Sequence, residues 1–214
     1  MTDSIKFTKL DIFTMKSYFN MNLVLLPVIM LFSYMGSSTL TLYITCSWFV
    51  ALMISNVFAI EEKNNLSRLY GTLSIKLRDI VLGRYIFILL NFVLTVFIIT
   101  ILSIVVLFFK SKSIDIQEII LGISTSFLVF SAIVGVQIPI FFKMGYLKAR
   151  FWSLIPYIIV LTLVLMTSLI DKISFVIDFI IYNQGIFSIL GLIASFIILV
   201  VSYKISFLLY KSRR

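Results

Sequence analysis

The run YIFILLNFVLTVFIITILSIVVLFF, from Tyr85 to Phe109, holds no charged residue and no proline, and it decides the fold class. At about 1.5 Å per helical residue it is long enough to cross the roughly 30 Å hydrocarbon core of a bilayer. Its Leu, Ile, Val and Phe point all the way round, without the two-residue alternation of a barrel strand, and in hydrocarbon only helices and closed barrels satisfy every backbone group. Outward from this stretch, further uncharged runs fall at 18–35, 39–60, 119–142, 151–170 and 186–203. The expected fold is an all-α polytopic membrane protein with six transmembrane helices in one domain, 1–214. Composition agrees: 61% of residues are hydrophobic and 13% charged, whereas a soluble domain carries about 25% charge, which excludes an ordinary soluble enzyme. The first run follows Lys6, Lys9 and Lys16 as a signal peptide would. Phe32-Ser33-Tyr34-Met35 offers no small-residue cleavage site, however, so it is read as a retained helix.

Orientation follows from the basic residues. All but Lys110, Lys112 and Lys172 of the 18 Lys and Arg lie before the first run, in 61–84, in 143–150 or at the C-terminal end. The positive-inside rule places those segments and both termini in the cytoplasm, with 36–38, 110–118 and 171–184 outside. The net charge of +9 then reflects topology and attraction to anionic membrane lipid, and no nucleic-acid partner is needed.

The polar segment 61–84 lacks proline and carries Leu66, Leu69 and Tyr70 at helical spacing among Glu61, Glu62, Lys63, Arg68, Lys76 and Arg78. One or two short amphipathic helices are expected there, with Ser74 as an N-cap. The mixed charge suits a protein groove better than lipid, and the apolar side chains would anchor it. Residues 5–17 form a second interfacial candidate, with Ile5, Leu10, Ile12, Phe13 and Met15 between Lys and Asp. The stretch 171–184 is too apolar to float in water. It is either an outer re-entrant element or an extension of the fifth or sixth span.

Much chemistry is missing. The chain has no His and one Cys, Cys46, in an apolar run, which removes His-based catalysis, His metal ligands and an internal disulfide. No acidic residue lies mid-span, which argues against an ion relay, and no GxxxxGK[ST] phosphate cradle occurs. Glu61-Glu62 has no nucleophile or base beside it and is read as a solvated helix start. The pairs Gly122/Ser126, Ser131/Gly135 and Gly191/Ser195 have the spacing for close helix approach. Pro27, Pro139 and Pro156 shape span ends, and Trp48, Trp152, Tyr85, Tyr157 and Tyr203 read as anchors or packing. Side-chain amides gather toward the cytoplasmic third, at Asn22, Asn56, Asn91 and Gln137. They either line a hydrated inner vestibule on a translocation path or simply bond neighbouring helices.

Ala59-Ile60-Glu61-Glu62-Lys63, Leu73-Ser74-Ile75 and Asp79-Ile80-Val81-Leu82-Gly83-Arg84-Tyr85, with Lys9-Leu10-Asp11 near the start, resemble the membrane subunits of type 2 ATP-binding-cassette (ABC) exporters, in their small peptide- and drug-exporting branch. Ser74 stands where that pattern usually has proline. The resemblance implies a bacterial plasma-membrane permease that works as a dimer with a second permease chain and with separate cytoplasmic ABC ATPase subunits. ATP and Mg would bind those subunits, with no cofactor on this chain. Segment 61–84 would be the coupling region and 171–184 the outer re-entrant element. A hydrophobic or amphipathic substrate, a peptide foremost, fits spans without charge. The alternatives are a six-helix substrate-capturing subunit of a vitamin importer, although the first span lacks an Ala-rich face, and a membrane-embedded lipid enzyme.

Overall fold

The computed structural model describes residues 3–15, 39–66, 70, 76–109, 115–169 and 183–213. Among these the order is α1 (Asp3–Met15), α2 (Thr39–Lys63), α3 (Leu77–Phe109), α4 (Ile116–Met144), a single turn α5 (Tyr146–Ala149), a 3-10 turn (Trp152–Leu154), α6 (Ile155–Leu169) and α7 (Gln184–Arg213), with no strand among the described residues. Four helices, α2, α3, α4 and α7, are long and apolar enough to cross a membrane. They contain the expected runs 39–60, 85–109, 119–142 and 186–203. The run 151–170 falls on the 3-10 turn and the shorter α6. The run 18–35, the Ser74 cap and nearly all of 171–184 lie outside the described residues.

The helices outrun the apolar stretches that announce them. α2 continues through Glu61-Glu62-Lys63 and α3 already begins at Leu77, so the polar connection is shorter than the expected 61–84. A helix does not stop where hydrophobicity stops, because its end turns keep their hydrogen bonds as they enter the interface. With 33 residues at about 1.5 Å each, α3 is some 50 Å long, well beyond the hydrocarbon thickness. Local chemistry sets the ends. After α2, Asn65 adopts φ 50, a left-handed conformation that Asn tolerates better than most residues. The Asp115 carboxylate accepts from the Gln117 N–H at 2.9 Å to cap α4. Gly145, at φ 77, closes α4 with its N–H donating to Phe141 O. Pro156 sits in the first turn of α6, where its missing N–H costs nothing.

Helix α4 is central and packs most extensively on α7, then on α2. Half of the most apolar window of α2 and of α4 is buried, against 22% for α3 and α7, which therefore turn most of their Leu, Ile and Phe outward. The α4–α7 joint rests on small residues. A Cβ on Gly191 would lie 2.5 Å from Ser124 Oγ, and one on Gly135 would lie 2.8 Å from Ile198. Ser124 Oγ donates to Ser188 O at 2.7 Å, and Ser202 Oγ donates to Gly135 O at 2.8 Å. Gly122 is closed over by the Tyr43 ring. The three small-residue pairs thus lie in tight helix contacts.

Candidate functional site

Several contacts gather the polar parts of the chain at one end of the bundle. Ser4 Oγ of α1 donates to Asp79 Oδ1 in the first turn of α3 at 2.6 Å, and the Leu147 N–H of α5 donates to Glu62 Oε2 at 2.9 Å. Arg213 near the C-terminus donates to Phe142 O at 3.4 Å. The start of α1, the facing ends of α2 and α3, the turn after α4 and the end of α7 are therefore neighbours.

Arg84, two turns inside α3, is the centre of this end. Its side chain is 1% exposed. Nη1 lies 3.0 Å from Asp11 Oδ1 of α1, and Nη2 donates to Glu61 Oε2 of α2 at 2.6 Å. The guanidinium also lies over the rings of Phe7 and Phe58, at 5.4 and 5.1 Å from their centroids. A buried cation needs such company, since its desolvation is repaid only by close opposite charge, hydrogen bonds and aromatic faces. Burial pushes the Asp11 carboxyl up to about 6, against the pull of Arg84.

Helix α1 is built to reach this cation. Ser4, Phe7, Thr8, Asp11 and Met15 form a buried stripe at helical spacing, while Ile5, Ile12 and Phe13 are exposed. Of the apolar residues expected on this interfacial helix, Ile5, Ile12 and Phe13 are exposed, Leu10 is half-buried and Met15 is turned into the bundle. Thr8 Oγ1 donates to Gly83 O at 3.1 Å, and a Cβ on Gly83 would stand 2.9 Å from Ser4 O, so glycine admits the close approach of α1. Tyr70, from the connection, is 1% exposed and packs edge-on against Phe7 with centroids 4.9 Å apart.

These positions revise the reading of Glu61-Glu62. They do not start a solvated helix; they end α2, where two carboxylates oppose the negative end of the helix dipole. Arg84 neutralises one, and the Leu147 N–H, with Lys63 alongside in the last turn, answers the other. Of the remaining expected docking residues, Lys63, Lys76 and Arg78 are exposed and Leu66 is half-buried against the core. Tyr70 is turned inward, and Arg68 and Leu69 lie outside the described residues. Of the amides, Asn22 lies outside the described residues. Asn56 Nδ2 is 3.8 Å from Met53 Sδ, and Asn91 Nδ2 donates to Phe87 O at 3.0 Å. Gln137, fully buried, accepts from the Tyr157 hydroxyl at 3.3 Å. All three have partners within the bundle.

Sequence reasoning counted Arg84 in the polar segment 61–84 and Asp11 in the interfacial stretch 5–17, and missed their pairing. No local signal marked them: each has apolar neighbours, but so does Lys76, which is exposed between Ile75 and Leu77 in the sequence. Among the described residues no group of His, Cys, Asp or Glu is arranged to hold a metal ion. In comparison with known proteins, the family model described as ABC-2 family transporter protein matches residues 7–211. Neither the curated proteins nor the solved structures contain a match.

Proposed function

From the premise that the chain belongs to the ABC-2 family of transporter proteins, we propose that it is the permease of an exporter, moving a hydrophobic or amphipathic substrate, a peptide foremost, out of the cell. The energy comes from ATP hydrolysed on a separate cytoplasmic subunit that docks on the α2–α3 connection, and two permease chains form the path in the bacterial plasma membrane. The observation that carries this reading is the polar end of the bundle, where Lys63, Lys76 and Arg78 stand exposed around the α2–α3 connection while the long helices beyond are uncharged. These cations give a soluble partner an exposed, charged face to engage. Leu66, Arg68 and Leu69 supplement the exposed cations, while Glu61, Glu62 and Tyr70 hold the connection from inside.

Lys63→Glu combined with Arg78→Glu tests the docking. Neither side chain is buried, so the permease should still insert, while reversal of two rim charges should lower recovery of the co-expressed ATPase about tenfold or more at low salt. Undiminished recovery contradicts docking at this connection. The path is tested separately: Asn91→Leu and Gln137→Leu should reduce transport-linked ATP hydrolysis if these amides line it, and unchanged hydrolysis assigns them to helix packing.

A further inference from the structure

We propose that Arg84 clamps α1 to the feet of α2 and α3, so that the three move as one body when the α2–α3 connection is displaced; this rests on the permease reading above. The clamp has three jaws. Asp11 brings α1, Glu61 brings the last turn of α2, and Arg84 itself belongs to α3. Phe7 and Phe58 close over the cation from α1 and α2. Tyr70 leans on Phe7 from the connecting segment, so a push on that segment arrives first at the ring that covers the cation.

Stability alone does not account for a charged centre here. A buried ion cluster is often no more stable than an apolar replacement of similar volume, because desolvation consumes its attraction. This one is also incompletely satisfied: Asp11 Oδ2, Arg84 Nε and Tyr70 Oη are buried without a hydrogen-bond partner among the described residues, and Nη1 meets Asp11 at 3.0 Å as an ion pair without hydrogen-bond geometry. What the charges supply is position. A forked guanidinium between two carboxylates admits one arrangement of three helices, whereas an apolar contact at the same place lets them slide. Around the cluster, Ser4 to Asp79 and Thr8 to Gly83 O repeat the same tie between α1 and α3.

The test compares the native chain with the neutral variant Asp11→Asn, Glu61→Gln, Arg84→Met, both in a Cys46→Ala background and bound to the co-expressed ATPase. Spin labels replace the exposed Lys9 of α1 and Leu90 of α3. In the native chain the label separation should be narrow, and the same without nucleotide and when trapped with ATP and orthovanadate. In the neutral variant the complex should still assemble and hydrolyse ATP, but the separation should broaden roughly twofold or more as the fixed register is lost. A neutral variant as narrow as the native chain overturns the clamp, and so does a native separation that shifts on trapping. Absence of the ATPase from the native preparation would instead count against the permease reading, and the nucleotide-free distributions would still decide the clamp.

Discussion

At the foot of α3 the bundle is joined by a buried guanidinium between two carboxylates, whereas between α4 and α7 it is joined by Gly and Ser brought into backbone contact. The first joint depends on charge, although Gly83 within it also has no room for a side chain. The second contains no charge and tolerates almost no added volume. The small-residue joint fits hydrocarbon, where lipid tails are as apolar as Leu and helices associate through close packing. The charged joint fits the interface, where Glu61 keeps some solvent contact at 14% exposure and a cation two turns from a helix end need not sit in mid-bilayer.

The largest effect should come from breaking the charged joint on one side only. Arg84→Ala leaves Asp11 and Glu61 without their cation and should destabilise the fold by about 3–5 kcal/mol, while the neutral triple variant should lie within about 1–2 kcal/mol of native. The native thiol reports unfolding directly, because Cys46 is free and 2% exposed and reacts with a maleimide only when the bundle opens. If Arg84→Ala and the triple variant expose Cys46 at the same temperature, the contrast between the joints is lost. The small-residue joint should yield next. Gly191→Ala drives a methyl group into Ser124 Oγ and should cost about 1–3 kcal/mol. Adding Ser124→Ala should recover part of this, and a double variant no better than Gly191→Ala would show that the contact is not the cause.

How much of this was legible beforehand differs between the two joints. Close approach at α4 and α7 could be read from spacing, since Gly135, Gly191 and their Ser neighbours recur at helical intervals within uncharged runs, but the spacing did not say that these two helices pair. The runs 39–60, 85–109, 119–142 and 186–203 were legible as membrane-long helices for the same reason, as each is a local property of composition. The Arg84 cluster was not legible, because Asp11, Glu61 and Arg84 come from three distant segments and nothing local distinguishes a paired charge from a solvated one. The boundary at 61–84 failed for a related reason: polarity marks where hydrocarbon ends, and α2 and α3 extend past that point as helices.

Smaller effects refine the comparison. Tyr85 belongs to both regions, as it lies one residue beyond Arg84 yet its hydroxyl meets Ser202 Oγ at 2.5 Å and Ser206 Oγ at 2.9 Å on α7. Tyr85→Phe removes both bonds and should cost about 0.6 kcal/mol for each, the average for hydrogen bonds between helices in membranes. A cost several times larger would make this hydroxyl cluster a third principal joint. The smallest effect concerns pH. Burial raises the Asp11 carboxyl from 3.8 to about 6, so the folded protein holds this proton where the unfolded chain has released it. The stabilisation from protonated Asp11 is therefore complete below about pH 4 and is lost as pH rises through 6. Relative to Asp11→Asn, which stays neutral, the native chain should lose thermal stability over that window. A constant difference across it would mean that Arg84 fully compensates the buried carboxylate.

The central claim is that the charged end of the bundle is the cytoplasmic, ATPase-facing end, and labelling of single cysteines in intact cells tests it most directly. In a Cys46→Ala background, Asn64→Cys lies in the exposed turn after α2, and Gln117→Cys lies exposed at the start of α4. The two sites are separated by the length of α3. A membrane-impermeant thiol reagent should label position 117 in intact cells and reach position 64 only after lysis. Labelling at 64 and protection at 117 in intact cells would place the Arg84 cluster and its exposed cations outside, and would contradict the account.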